Sequence, residues 1–327
     1  MKQVIIRTDA STKIGSGHVM RCLTIAKNLK KHNVTVQFWM EELPGHLIAY
    51  VQQEGFETIT SPKKADLYII DHYTIDAEWE RGLRGFTEKI VVIDDLANRP
   101  HDCELIIDQN VIPNFDSRYD VLVPKQCIQL LGPKYLIMRD EFIEARQNLK
   151  SRNMQGERLL VFMGGSDPTD ETRKVLRALH QFKGYFSHID VVVGSGNIHK
   201  AEIEQICLEQ GYHFHCQINY MARLMQQADF SIGAGGSTTW ERCYVGLPSS
   251  STIVADNQTL TTNYANQLGA VLNLGWHENV STTTYRNLLS KLKNGEVDLN
   301  QISKVGLDLT ENTQPNPWIE EIMELLT

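Results

Sequence analysis

Short runs of apolar and β-branched residues alternate along the chain with longer segments of helical periodicity. The runs VIIRTD, VTVQFW, LYIID and KIVVIDD have the composition of buried strands. Between the first two runs, apolar residues recur over residues 19–29 with the spacing of one helix face, and lysines occupy the opposite face. The first part of the chain is therefore predicted to consist of βα units.

The same alternation resumes after the polar segment RQNLKSRNMQGER, in the runs LLVFMGG, IDVVVG and DFSIGAGG. Two such halves predict an α/β protein with two Rossmann-like domains of parallel sheet, which face a central cleft. We expect an N-terminal domain over residues 1–146, a linker over 147–157, a C-terminal domain over 158–315 and a terminal helix over 316–327. That helix is expected to pack back on the N-terminal domain.

Length and composition agree with two ordered domains and exclude several classes of partner. The chain has 327 residues, 42% of them hydrophobic, which fits two globular domains of roughly 150 residues each. A net charge of −8 gives no basic surface for nucleic acid. No segment reaches the roughly 20 apolar residues of a transmembrane helix. Six scattered cysteines and the lack of a secretory signal indicate a cytoplasmic protein.

The first candidate site is the turn between the first strand and the first helix. Gly15 and Gly17 allow the backbone to approach a ligand, and the helix N-terminus behind them favours an anion. The helix dipole also favours a neutral imidazole at His18, which can then accept a proton. Asp9 can orient His18 or a sugar hydroxyl. Capping or packing roles remain the alternatives for His18 and Asp9.

A second turn, GAGGSTTWER, again joins a strand to a helix. Gly235 and Gly236 let a diphosphate approach the N-terminus of that helix. Ser237 and Thr238 add hydroxyl donors at the same place. Glu241 lies one turn into the helix and can accept the two hydroxyl protons of a ribose, or else it pairs with the helix dipole.

Further candidate residues lie where strands end or helices begin. Gly164 and Gly165 form a third turn that can face the same crevice, and Asp167 behind them is most simply a helix cap. Tyr73 follows the LYIID strand and Asn257 begins another helix. Both are candidates for contacts with a sugar.

The sequence offers no arrangement typical of a metal site. It contains no D-x-D segment, and Asp94 and Asp95 are neighbours that point in opposite directions within a strand. His213 and His215 form an H-x-H pair that strand alternation explains. We therefore expect neither a metal ion nor another cofactor.

Six segments together resemble the PseG family, the UDP-sugar hydrolases of pseudaminic acid biosynthesis, and the related SpsG proteins of spore coat polysaccharide biosynthesis. These segments occur in the same order over nearly the whole chain: RTDASTKIGSGHVMRCLTIA, DHYTID, KIVVIDDLANRPHDCELIIDQN, LGPKYLIMRDEF, MGGSDPTDET and GAGGSTTWERCYVGLPS. The combination is much more specific than any one glycine turn.

This resemblance implies a glycosyltransferase-B fold. It also implies hydrolysis of UDP-2,4-diacetamido-2,4,6-trideoxy-β-L-altropyranose to UDP and the free sugar, with inversion at the anomeric carbon and His18 as general base. The predicted sugar-binding residues are Asp9, Arg21, Tyr73 and Asn257. The predicted UDP-binding residues are Gly15, Gly17, Gly164, Gly165, Gly235, Gly236, Ser237, Thr238 and Glu241.

Two other functions are compatible with the same residues. A UDP-sugar glycosyltransferase of this fold would use an alcohol in place of water. A noncatalytic sensor would bind the sugar nucleotide without turnover. The sequence leaves open the identity of the sugar, the polymer that it supplies and the oligomeric state.

Overall fold

The computed structural model describes residues 2–12, 14–149, 152, 154, 156–312 and 314–327. The chain divides into two compact units. Unit 1 comprises Met1–Met138 and Asn312–Thr327, and unit 2 comprises Arg139–Glu311. No helix in the described ranges has the length and apolar character needed to cross a membrane.

Unit 1 is built on a seven-stranded parallel sheet with the order β3-β2-β1-β4-β5-β6-β7. Its strands are β1 (Gln3–Thr8), β2 (Thr35–Trp39), β3 (Glu57–Ile59), β4 (Leu67–Asp71), β5 (Ile90–Ile93), β6 (Leu105–Asp108) and β7 (Ile128–Leu131). The helices between them are α1 (Gly17–Lys31), α2 (Ile48–Gln53) and α3 (Ala77–Leu83), and a 3₁₀ turn covers Pro133–Tyr135.

Unit 2 is built on a six-stranded parallel sheet with the order β10-β9-β8-β11-β12-β13. Its strands are β8 (Arg158–Phe162), β9 (His188–Val193), β10 (His213–Cys216), β11 (Phe230–Ala234), β12 (Ser249–Ile253) and β13 (Leu272–Trp276). Its helices are α4 (Asp140–Gln147), α5 (Glu171–Leu179), α6 (Lys200–Gln210), α7 (Met221–Gln227), α8 (Ser237–Tyr244), α9 (Thr259–Leu268), α10 (Thr282–Lys293) and α11 (Leu299–Leu309). Short 3₁₀ turns cover His180–Phe182, Asp256–Gln258 and His277–Asn279.

The last helix, α12 (Trp318–Leu325), belongs to unit 1. Trp318 is buried in the same apolar cluster as α1, and its indole N–H donates to the Leu136 carbonyl over 3.3 Å. Asn316 exchanges two hydrogen bonds with the backbone of Met138, at 2.8 and 2.9 Å. These contacts anchor the end of the chain because a buried amide must satisfy both its donor and its acceptor.

The units divide differently from the predicted domain boundaries at α4. The predicted N-terminal domain, residues 1–146, includes nearly all of this helix, whereas in the structure the helix belongs to unit 2. The Glu141 carboxylate accepts a hydrogen bond from the Ala222 backbone N–H at the start of α7, over 3.0 Å. The predicted linker 147–157 includes residues 150, 151, 153 and 155, which lie outside the described residues.

Each sheet reverses its strand order at one point. In unit 1 the chain runs outward from β1 through β2 and β3, and then returns to place β4 on the other side of β1. In unit 2 the corresponding reversal lies between β8 and β11. In open α/β sheets, ligands bind beyond the carboxyl ends of the strands at such a reversal. Most of the predicted site residues follow these four strands.

One close backbone contact shapes the turn after β8. The N–H of Gly194 donates to the carbonyl of Gly165 over 3.0 Å. A Cβ on Gly194 would overlap that carbonyl oxygen and lie 2.7 Å from the Gly165 Cα. Only glycine therefore fits at residue 194 without moving the Gly164–Gly165 turn.

We expect Gly194→Ala to lower the free energy of unfolding by about 1–3 kcal/mol, because the backbone of residue 165 must move to admit the methyl group. Gly196→Ala is the matched control, since a Cβ there would have no atom within 4 Å. Its stability should stay within about 0.5 kcal/mol of the wild type. Urea denaturation measures both. Equal stability of the two variants would contradict the close contact.

Candidate functional site

A histidine, a carboxylate and an arginine meet at the strand reversal of unit 1. His18 is the second residue of α1, and Asp71 is the last residue of β4, directly beside Thr8 of β1. The Nδ1–H of His18 donates to Asp71 Oδ1 over 2.6 Å. Arg21 donates to both carboxylate oxygens of Asp71, over 2.8 and 2.9 Å. Asp71 thus fixes the orientation of the His18 and Arg21 side chains, both of which belong to α1.

The ionised form of Asp71 is strongly favoured. Burial by itself would raise the pKa of this carboxyl, but the Arg21 guanidinium and the His18 ring outweigh burial and hold the pKa well below its usual range. Since Asp71 accepts the Nδ1 proton, the Nε2 atom of His18 is left to accept a proton. The arrangement is that of a general base oriented by a carboxylate.

Tyr73 and Asp95 extend this cluster. The Tyr73 ring meets the His18 ring edge to face, with 4.4 Å between the ring centroids. The Tyr73 hydroxyl donates to Asp95 Oδ2 over 3.4 Å, and Arg21 Nη1 lies 3.7 Å from the same oxygen. Asp95 Oδ1 is buried without a hydrogen-bond partner within the described residues, and burial raises the pKa of this carboxyl. Asp95 Oδ1 is therefore available to accept a hydrogen bond in the cluster that contains His18.

Asp71 and Asp95 were not among the predicted site residues. A signal for them exists in the sequence, because LYIID and VVIDD both end in aspartate, and these segments form the adjacent strands β4 and β5. The carboxyl ends of adjacent parallel strands meet at one edge of the sheet. Asp94, the neighbour of Asp95, forms a different ion pair, with Arg99 at 2.8 Å.

Asp9 has partners of its own. It is buried, its Oδ1 accepts the backbone N–H of Glu41 over 2.7 Å, and its Oδ2 pairs with Arg7 at 2.7 Å and His72 at 3.3 Å. Burial would raise the pKa of Asp9, but the hydrogen bonds from His72 and Arg7 lower it below its usual range. Asp9 thus connects the loop after β1 to the loop after β2. The carboxylate that orients His18 is that of Asp71, not that of Asp9.

The first glycine turn leads directly into α1. Gly15 has a φ of +82°, in the left-handed region that favours glycine, and its N–H donates to the Ser11 carbonyl over 2.8 Å. Gly17 is the first residue of the helix and immediately precedes His18. Both glycines lie in unit 1 and place the start of α1 at the carboxyl end of β1.

In unit 2, the Gly235–Gly236 turn joins β11 to α8. Gly236 has a φ of +96° and gives α8 no side-chain cap. A Cβ on Gly235 would lie 2.7 Å from Thr262 Oγ1, so the turn is packed against α9. Ser237 and Thr238 form the first turn of α8. An uncapped helix N-terminus with two hydroxyl groups is suited to bind a phosphate.

The Gly164–Gly165 turn lies on the other side of the same strand reversal, because β8 and β11 are neighbours. Gly164 has a φ of +90°. Asp167 accepts the backbone N–H groups of Glu171 and Thr172 over 2.9 and 2.8 Å. The Asp167 side chain thus satisfies two N–H groups at the start of α5, although the N-cap residue of that helix is Asp170.

Glu241 has one carboxylate oxygen engaged and one without a hydrogen-bond partner. Oε1 accepts from Arg139 Nη2 over 2.9 Å, whereas Oε2 is buried without a partner in the described part of the chain. Asn257 lies in the 3₁₀ turn before α9. The side chain of its neighbour Gln258 lies against Gly235 and Gly236. Unit 2 therefore gathers the glycine turns, a carboxylate acceptor and amide groups at one edge of its sheet.

Comparison with solved structures defines the class of fold. MurG of Acinetobacter baumannii matches with a TM-score of 0.63 at 12% identity, covering 100% of this chain and 99% of that one. A glycosyltransferase of kitacinnamycin and WaaG, a glycosyltransferase involved in lipopolysaccharide biosynthesis, match with TM-scores of 0.58 and 0.53 at 12% and 14% identity. They cover 100% and 99% of this chain and 99% of their own chains. The fold is of the glycosyltransferase-B class, as predicted.

Sequence comparison finds relatives over most of the chain, although no protein-family model matches it. The spore coat polysaccharide biosynthesis protein SpsG of Bacillus subtilis is 27% identical, covering 88% of both chains. The UDP-2,4-diacetamido-2,4,6-trideoxy-β-L-altropyranose hydrolase of Campylobacter jejuni is 25% identical, covering 82% of this chain and 97% of that one. These relatives confirm the predicted resemblance to the PseG/SpsG family.

A third relative is an uncharacterized protein of Methanocaldococcus jannaschii, which is 27% identical over 266 residues. The match covers 75% of this chain, and the chain spans 54% of the length of that archaeal protein.

The electrostatics of Asp71 predict a large effect on stability. Asp71→Asn should lower the free energy of unfolding at neutral pH by about 3–5 kcal/mol, because it removes the negative charge that both His18 and Arg21 contact and leaves Arg21 only its longer pair with Asp95, at 3.7 Å. The control is Glu54→Gln, which removes a pair between exposed Lys27 and half-buried Glu54 and should cost less than about 1 kcal/mol.

The effect of Asp71→Asn should also depend on pH. The folded-state pKa of Asp71 is lowered, so its contribution is complete above the unfolded pKa of about 3.9 and is lost as the pH falls further. Urea denaturation of wild type and variant between pH 7 and pH 3 measures the difference. A difference that grows towards low pH would contradict the ion pair.

Proposed function

We propose that this protein is a UDP-sugar hydrolase that cleaves a UDP-linked amino sugar to UDP and the free sugar, with inversion at the anomeric carbon. The observation that carries this proposal is the pairing of His18 with Asp71 at the strand reversal of unit 1, with an Nδ1–Oδ1 distance of 2.6 Å. A base whose Nε2 can accept a proton, held in place by a buried carboxylate, is what the activation of a water molecule requires.

In the proposed reaction, His18 Nε2 accepts a proton from water while the water oxygen bonds to the anomeric carbon. The bond between that carbon and the β-phosphate oxygen breaks, and its electron pair leaves with UDP. Asp71 stabilises the imidazolium that forms, because its carboxylate already accepts the Nδ1 proton. Attack on the face opposite the leaving group inverts the anomeric configuration.

Unit 2 binds the UDP moiety in this proposal. The N-terminus of α8 and the Gly235–Gly236 turn receive the diphosphate, and Glu241 Oε2 accepts a ribose hydroxyl proton. Backbone N–H groups aimed at the developing charge stabilise the leaving group without reorganisation during the reaction. The protein therefore needs no divalent cation for the departure of UDP.

The names of the relatives support the choice of substrate. The Campylobacter protein is named as a hydrolase of a UDP-linked diacetamido sugar, and the Bacillus protein is named for polysaccharide biosynthesis. We therefore propose UDP-2,4-diacetamido-2,4,6-trideoxy-β-L-altropyranose, or a related UDP-linked amino sugar, as the substrate. Its free sugar product would serve the cytoplasmic synthesis of a surface polysaccharide.

Replacement of the base tests this assignment. We expect His18→Asn to lower kcat by at least about 100-fold with little change in UDP affinity, because the variant lacks only the proton acceptor. The assay contains a chelator, since the proposal needs no metal ion. His32→Asn is the control, because His32 is exposed at the C-terminal end of the same helix. Turnover within a few-fold of wild type in His18→Asn would exclude the base role.

Labelled water tests which bond breaks. A single turnover in ¹⁸O-water should place the label in the released sugar and leave UDP unlabelled, because water attacks the anomeric carbon. Free sugar incubated in the same water sets the background of anomeric exchange, and rapid NMR follows the anomer first released. Label in UDP would mean attack at phosphorus. UDP release that depends on an added alcohol would identify a transferase, and UDP binding without turnover would identify a sensor.

A further inference from the structure

A fully buried arginine lies directly behind the Gly235–Gly236 turn of unit 2. Arg242 belongs to α8, and its guanidinium reaches back to the end of β11 and to β12. Nη2 donates to the Ala234 carbonyl over 3.0 Å, to Thr239 Oγ1 over 3.1 Å and to Ser251 Oγ over 2.9 Å. All of these acceptors are neutral. The guanidinium is therefore held by neutral groups of β11, α8 and β12.

Arg242 has no carboxylate partner among the residues that the structure describes. The adjacent Glu241 pairs with Arg139 at 2.9 Å, and Arg242 Nε is buried without a hydrogen-bond partner in those same ranges. Burial lowers the pKa of Arg242 to about 10, so the side chain remains charged at neutral pH. A buried charge without a counter-charge is costly, and proteins usually pair such groups.

The fold makes room for this cation. A Cβ on Gly233 would lie 2.5 Å from Arg242 Nη1 and 3.0 Å from the Phe162 carbonyl oxygen. Glycine at residue 233 of β11 is thus what admits the guanidinium between strand and helix. A strand buried on both faces ordinarily carries branched apolar residues. A glycine at residue 233 departs from that pattern and leaves space for the Arg242 guanidinium.

The hydrogen bonds of Arg242 also orient the first turn of α8. Because the guanidinium only donates, Thr239 Oγ1 must accept, and the Thr239 proton then points away from Arg242. Nη1 approaches Thr238 Oγ1 at 3.5 Å in the same sense. Arg242 therefore restrains the hydroxyl of Thr239 and adds a positive charge behind the first turn of α8.

We propose that Arg242 is the built-in counter-charge for the diphosphate of the nucleotide, acting through the Gly235–Gly236 turn without touching the ligand. This inference rests on the proposed binding of UDP to unit 2. Arg242 is a positioning residue that supplies the electrostatic role commonly taken by a divalent cation. The bound diphosphate in turn compensates the buried charge.

The test compares a charged with an uncharged ligand of the same nucleoside. Affinities for UDP and for uridine are measured by ligand-observed NMR, which also detects weak binding. Arg242→Met should weaken UDP binding at least about tenfold, or ~1.4 kcal/mol, while uridine binding stays within about twofold. Arg242→Lys keeps the charge and should retain most of the preference for UDP.

Arg146→Met is the matched control. Arg146 belongs to α4 and donates to the Tyr244 carbonyl at the C-terminal end of α8, over 2.8 Å, so its loss removes a cation that contacts α8 at the end opposite the turn. The ratio of UDP to uridine affinity should not change in this variant.

Each other outcome decides the question. Equal losses of UDP and uridine binding in Arg242→Met, or an unchanged ratio of the two affinities, would show that Arg242 is structural and overturn the inference. If Arg242→Met does not fold, an Arg242→Lys variant that folds and binds uridine but has lost its preference for UDP would do the same. Wild-type protein that fails to bind UDP would refute the proposed function itself.

Discussion

The carboxylate of Asp71 is the contact on which the organisation of unit 1 depends. It binds His18 and Arg21 at once, and these residues lie nearly one helical turn apart on α1. The shared carboxylate therefore fixes the rotation of α1 about its axis. Because Asp71 ends β4, the same contact ties the helix after β1 to the strand on the other side of the reversal.

This shared contact has consequences for the neighbouring groups. Arg21 is engaged by Asp71 through two hydrogen bonds and lies 3.7 Å from Asp95, so the two carboxylates share one cation. Asp95 receives too little of that charge to offset its burial, and its pKa is raised. The cluster thus holds one carboxylate that is firmly ionised and another that protonates more readily.

Local features of the fold and site could be predicted from the sequence, and nonlocal ones could not. Strand, glycine turn and helix follow one another within a few residues, so the turns at Gly15, Gly164 and Gly235 were visible. The partner of His18 lies 53 residues away, and its position depends on the placement of β4 beside β1. Arg242 stands inside a recognised motif, but an arginine is ordinarily assigned to the surface and only packing reveals its burial.

The two units meet opposite electrostatic demands of the proposed reaction. Proton transfer to His18 creates a cation in unit 1, where Asp71 provides a buried negative charge. In the same proposal, departure of UDP increases negative charge on the diphosphate, and the N-terminus of α8 together with Arg242 would offset that charge in unit 2. Preorganised groups of the correct sign avoid the cost of reorienting solvent during the reaction.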